Sequence, residues 1–265
     1  MTARDWTADR ESVFDRDAFT CRHCETVGDD ATALRLSPVG DVPREGTVHE
    51  SALVTVCADC FETLETAPAT PSATAETLFH RVRETTRLQG ATISDVATFA
   101  SLSTSLPATL ESACDDGTEV DSDAVSNYRR TRRDVLLAIA IVDAHLEELA
   151  ALEPAVAPDV RPSLEAFTET ATALQSRLVE AVELSETVVS ALERCHGCFD
   201  SLEGQTCSTC GLEACETAAW HHPGESIAFD RLFGTINETL QDASETTDTL
   251  TDRATALATQ LTAEL

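Results

Sequence analysis

Along residues 164–192, residues suited to a packed helix seam recur at alternating steps of three and four: Leu164, Phe167, Ala171, Leu174, Leu178, Ala181, Ser185, Val188 and Leu192. That alternation keeps one stripe of a helix turned toward a partner and predicts a long helix with a heptad seam. The same steps return at Phe233, Ile236, Leu240, Ala243, Thr247, Leu250, Ala254, Leu257 and Leu261, which predicts a second such helix. Upstream, Val125, Tyr128, Val135, Ile139, Val142, Leu146 and Leu149 fall on one broad side of a helix expected over 122–152. Pro154, Pro158 and Pro162 close it and open the next, because proline is tolerated in a first turn and not in an interior. Two more helices are expected, one from Ser72 as N-cap to Gly90 as stop, the other over 92–113 and broken before Pro107. The acids around Asp116 and Gly117 read as a loop.

The N-terminal quarter lacks this long-period signal. A short helix over 5–16 is followed by brief apolar runs at 34–36 and 53–56, read as strands, and by a helix starting near Cys57. Residues 66–72, rich in Ala, Pro and Thr, read as a linker. The expected organisation is a module over 1–66, a linker over 67–71, and a helical domain over 72–265 carrying an insertion at 195–224.

Cysteine pairs punctuate both parts. Cys21-x2-Cys24 and Cys57-x2-Cys60 form one set, and Cys195-x2-Cys198 with Cys207-x2-Cys210 a second. Each Cys-x-x-Cys turn aims two sulfurs at one point, and two such turns supply the four thiolates of a tetrahedral structural zinc site. Two structural Zn2+ sites are therefore expected as cofactors, although four thiolates also accept iron. Disulfides are the competing state; no secretory leader is read at the start, and reduced thiols are expected in a cytoplasmic protein. Gly197 and Gly211 stand where knuckle turns favour a residue without a β-carbon. Cys215 is a substitute ligand for the second site or a buried small side chain. The adjacent His221 and His222 are read as a loop face, and Cys114 as a packed thiol.

The residues around the first set carry a family resemblance. Arg16-Asp17-Ala18-Phe19-Thr20-Cys21-Arg22-His23-Cys24, and Gly46-Thr47 through His49 to Leu53-Val54-Thr55-Val56-Cys57 and Cys60, resemble the entry and exit of HNH endonuclease zinc domains. The resemblance covers residues ~10–62 and implies a ββα module. In that family a histidine pair between the knuckles supplies the general base and a metal ligand. Here Leu34-Arg35-Leu36-Ser37-Pro38-Val39 occupies that segment, with Ser37 and Pro38 in place of the histidines. Ala52 replaces the family asparagine, and Phe61 the histidine after the last cysteine. Phosphodiester hydrolysis needs a base and a divalent ion, and none of these side chains provides either. No catalytic residue is therefore assigned, and His49 and His23 are read as a loop residue and an exposed spacer.

Charge alters the functional picture. The chain carries 47 acidic residues against 18 basic ones, for a formal charge of −29. Every basic residue is arginine, and the acids dominate each segment. The composition resembles that of haloarchaeal cytoplasmic proteins. Phosphate-binding surfaces are cationic, so this balance argues against extensive nucleic-acid contact. The run Arg129-Arg130-Thr131-Arg132-Arg133 is the exception; on a helix it spreads around more than one turn, and pairing with Asp121, Asp123 and Asp134 is expected.

The expected fold is mainly α: a small N-terminal ββα zinc-bound HNH-like module joined to a long-helix bundle, or to a helical hairpin, carrying a zinc ribbon at its tip. The seams suit an intramolecular bundle or an intermolecular coiled coil, so a homo-oligomer is an open expectation. No apolar run is long enough to span a membrane. The expected function is a non-catalytic adaptor for a protein partner or, through the intact fold, for nucleic acid. The alternative is an HNH-family DNA endonuclease with rearranged residues such as His49 with Asp41 or Glu45.

Overall fold

The computed structural model describes residues 6–28, 33–42, 48–65, 74–115, 122–222 and 226–263. The chain opens with helix α1 (Trp6–Arg16), followed by strands β1 (Leu34–Pro38) and β2 (Leu53–Cys57) and helix α2 (Ala58–Glu65). The two strands pair antiparallel, with Leu34 opposite Cys57 and Pro38 opposite Leu53. Beyond the expected linker, which lies outside the described residues, stand four long helices: α3 (Ala75–Asp115), α4 (Ser122–Leu152), α5 (Arg161–Ala191) and α6 (Phe229–Ala263). A mainly helical protein with a small N-terminal sheet is the architecture observed.

Helices α3 and α5 each touch the other three long helices, while α4 and α6 flank them. Helices α5 and α6 run antiparallel: Gln260, near the end of α6, accepts from Ser163 Oγ at 2.8 Å and donates to the Asp159 carbonyl at 2.8 Å, at the start of α5. Both heptad seams bury within the one chain. Leu164, Phe167, Leu174, Leu178, Leu250, Leu257 and Leu261 lie in a continuous apolar core with Phe99, Tyr128, Leu137 and Leu149. The 31 residues of α5 make a rod of about 46 Å.

Helix α3 departs from expectation. Instead of two helices meeting near Gly90, a single helix of 41 residues runs through both Gly90 and Pro107. Its buried stripe is Leu78, Val82, Thr85, Gln89, Thr92, Val96, Phe99, Ser103 and Leu106, again at steps of four and three. Packing along that unbroken stripe outweighs the local cost of the glycine and the proline. Three of the four polar members find partners: Thr85 and Thr92 donate to the carbonyls four residues back, and Gln89 Nε2 donates to the Ala171 carbonyl on α5 at 2.8 Å, whereas Ser103 Oγ is buried with no hydrogen-bond partner. Gly90 faces open space, where a missing side chain forfeits no packing.

The module rests on α4. Val54 and Val56 of β2 and Cys21 and Cys60 belong to the same apolar cluster as the bundle core. Gly40, at φ +81° after β1, brings the loop so close that an added β-carbon would sit 3.3 Å from Leu136 Cδ1 of α4. No helix among the described residues is long and apolar enough to cross a membrane.

Candidate metal centres

Three of the four cysteine pairs adopt one backbone form. In each, the amide of the first cysteine donates to the carbonyl five residues on: Cys21 to Thr26 at 2.9 Å, Cys195 to Asp200 at 2.8 Å, and Cys207 to Leu212 at 2.8 Å. The return bonds come from the residue after the second cysteine, from Glu25, Phe199 and Gly211 to the carbonyls of Cys21, Cys195 and Cys207 at 2.8–3.0 Å. Those three residues have φ of +58°, +68° and +79°. This turn leaves the amides inside the loop free to point at sulfur, as Gly197 N does at 3.4 Å from Cys195 Sγ. An added β-carbon on Gly197 would meet Leu212 Cδ1 at 2.3 Å, so the two knuckles of the second site pack too closely for a side chain there. The fourth pair is built differently: Cys57 ends β2 and Cys60 sits in the first turn of α2.

These turns gather the sulfurs as the spacing predicts. Cys21, Cys24, Cys57 and Cys60 form one group and Cys195, Cys198, Cys207 and Cys210 another, each with its ligand atoms within 4.8 Å of one another. Cys24 and Cys57 are 3.7 Å apart, Cys195 and Cys210 3.4 Å, and Cys198 and Cys207 3.5 Å. Four sulfurs at about 2.3 Å from a zinc ion stand about 3.8 Å from one another, so both donor sets fit a tetrahedral thiophilic ion. Electrostatics agrees with that fit. Burial raises the Cys60 thiol, and its contact with Cys57 raises it further. Burial also opposes ionisation of Cys24, but bonds from the Thr26 hydroxyl and amide bring it down to about 7. In the second group, contacts with Cys198 and Cys210 lower Cys195, while contacts with Cys195 and Cys210 raise Cys198. Within each group some thiols favour the charged form and others resist it, a conflict that a divalent cation removes by stabilising all four thiolates.

Each group is tied to the bundle. Arg22, in the first knuckle, donates its amide to the Thr55 carbonyl at 2.8 Å and its guanidinium to Asp134 of α4 at 2.9 and 2.5 Å. Asp17 accepts from Arg16 at 2.8 and 3.0 Å and from Thr55 N at 2.9 Å, joining α1 to β2. At the second group, Tyr128 is fully buried between Phe99 and Phe199 and donates to the His196 carbonyl at 2.9 Å. After the ribbon, Arg231 stacks over Trp220 and donates to the Ala219 carbonyl, steering the chain into α6.

Other expected residues fall elsewhere. Cys215 does not join the four thiols as a substitute ligand; it lies 3.6 Å from His196 Nδ1 and forms a third group with His196 and Glu186. That group suits a metal less well. It offers three donors, burial pushes the Cys215 thiol up, and the Glu186 carboxylate already accepts from buried Arg132 at 2.6 Å. A guanidinium against the carboxylate would repel a cation. His23 is half-buried rather than exposed, facing Glu84, Arg87 and His145, because the knuckle turns its spacer toward the bundle. His49 caps a single turn at Glu50–Ala52, accepting from Ser51 N at 3.1 Å. His221 and His222 are exposed, as a loop face requires. The side chain of Cys114, together with Glu45 and Asp121, lies outside the described residues.

In and next to the arginine run, two of the described charges find partners outside their own helix, and Asp121 lies outside the described residues. Asp134 pairs with Arg22 of the first knuckle rather than with its helical neighbours, and Arg132 reaches Glu186 on α5. Comparison with protein-family models, with curated proteins and with solved structures finds no match.

Proposed function

We propose that this protein is a zinc-stabilised, non-catalytic scaffold: an HNH-like module docked on a helical bundle, serving as an adaptor for a protein partner or for nucleic-acid-associated assembly. The observation that carries the reading is the burial of the positions where the resemblance would place catalysis. Ser37 is 3 % exposed and Ala52 1 % exposed, while Pro38 and Phe61 are half-buried, with Phe61 packed against the core. A general base must reach water and a phosphodiester, and a catalytic cation must have open coordination positions. The enclosed Ser37 and Ala52 cannot serve either role, and the half-buried Pro38 and Phe61 carry no group that could. His49, the remaining histidine of the motif, spends its Nδ1 on Ser51. Zinc in both four-thiolate groups would act structurally, since a closed tetrahedron leaves no site for substrate.

The reading is tested by incubating supercoiled plasmid with purified, zinc-loaded protein and magnesium or manganese, beside the His49→Ala variant. No nicking above buffer is expected from either. Nicking by the parent that disappears in His49→Ala would replace the scaffold with an endonuclease using a relocated base.

A further inference from the structure

Five of the 18 basic residues of this acidic chain gather in one place. Arg16, Arg22, Arg129, Arg130 and Arg133 line one cavity of about 910 Å3, between the end of α1, the first knuckle and the N-terminal half of α4. Its carboxylates do not balance them. Asp17 is taken by Arg16 and the Thr55 amide, and Glu50 accepts from Ser12 at 3.0 Å. Arg22 is held by Asp134. By contrast, no described carboxylate lies within ion-pair distance of Arg129, Arg130 or Arg133, although Asp123 lines the same cavity. Arg130 donates to Asn127 Oδ1 at 2.8 Å, and Arg129 Nε is buried with no hydrogen-bond partner.

Arg133 is the most unusual of the group. It is 6 % exposed and makes no ion pair with a described residue; Arg16 and Arg129 act against its charge and Asp17 and Asp134 for it, but those two carboxylates are already held by Arg16 and Arg22. Burial first, and repulsion from Arg16 second, bring its guanidinium down to about 10. A buried cation without an ion-pair partner of its own is costly in a protein interior, and a bound anion would offset that cost.

We propose that this cavity binds the phosphate group of a small phosphorylated molecule. Arginine forks match phosphate oxygens in pairs, and three uncompensated guanidinium groups answer two or more negative charges, which selects a phosphate over a single carboxylate. The cavity falls within the roughly 300–1,000 Å3 typical of small-ligand sites. The rest of the molecule disfavours a long polyanion. A nucleic-acid strand leaving the cavity would run along a surface with net charge −29, within about one Debye length (~10 Å) of many carboxylates. A compact anion meets only the arginines.

The test is isothermal titration calorimetry of inorganic phosphate into the zinc-loaded full chain in chloride buffer. Saturable binding of one phosphate per chain is expected, weakened about tenfold or more in Arg133→Gln through loss of a charge-assisted contact. Arg129→Gln, at a half-buried position, carries the same expectation should Arg133→Gln fail to fold. Arg87→Gln, whose parent residue pairs with Glu84 on an exposed face, should bind as the parent does. Absence of binding by the parent, or parent-like binding by both cavity variants, would overturn the site. A short single-stranded oligonucleotide that binds more tightly than phosphate and loses affinity in the same variants would overturn the small-molecule assignment in favour of a strand.

Discussion

The two four-thiolate groups use the same ligands and differ in how the chain assembles them. The second is local: two knuckles separated by a short loop, inserted between α5 and α6. The first is long-range: a knuckle after α1 meets the β2–α2 junction, and closing it also pairs β1 with β2 and seats Val54 and Val56 in the core shared with α4. A site closed over a longer loop organises more of the fold, so its metal is coupled to more burial. The local site has a narrower task, fixing how α5 turns into α6, and it meets the bundle through Tyr128 and Phe199 and through the bond from Cys215 N to Ser190 of α5.

That contrast breaks most directly under cysteine substitution. Cys57→Ser should release one metal and unfold the β1–β2 sheet and both helices flanking it, while the four long helices keep a cooperative transition of their own. Circular dichroism and zinc content, followed through one melt, check this; a single transition lost as a whole would mean that module and bundle are one folding unit. Cys207→Ser should cost less: one metal is lost, the bundle stays folded and melts at lower temperature. Unchanged stability would show that the ribbon does not brace the α5–α6 hairpin.

Next in size is the buried pair beneath the second site. Arg132 is 3 % exposed and faces Glu186 at 2.6 Å. Glu186→Gln leaves that guanidinium without its counter-charge and should destabilise by about 3–5 kcal/mol in denaturant unfolding. A loss below about 1 kcal/mol, the size of an exposed pair, would place the interaction at the surface instead. The smallest effect is expected at Gly211. Its φ of +79° disfavours any β-carbon although space is open around it, so Gly211→Ala should cost about 1 kcal/mol. A stabilised variant would mean that the third knuckle adopts another turn.

How much of this was legible in the sequence follows from which residues do the packing. Helix α4 runs Ser122–Leu152 as the apolar pattern predicts, and the seams of α5 and α6 bury where their spacing places them. The two groups of four cysteines were readable because each Cys-x-x-Cys pair places its two sulfurs together within a few residues. Helix α3 was misread because Gly90 and Pro107 read as breaks, and the stripe that overrides them includes Thr85, Gln89, Thr92 and Ser103, polar residues that do not stand out as a buried seam. The arginine cavity was hidden for a different reason. Arg16 and Arg22 stand more than a hundred residues from Arg129 in the chain, and only the docking of the module on α4 brings them together. The same holds for Glu186, His196 and Cys215, whose meeting depends on how the ribbon folds back onto α5.

The account stands on two closed metal centres, and metal stoichiometry tests that claim most directly. Elemental analysis of the full chain purified without added metal should give about two zinc ions per chain, as two four-thiolate groups require. The count should fall to about one in either Cys57→Ser or Cys207→Ser, and to none when both are changed. A parent protein with no bound metal and its cysteines joined as disulfides, or one whose zinc count is unmoved by both substitutions, would contradict it.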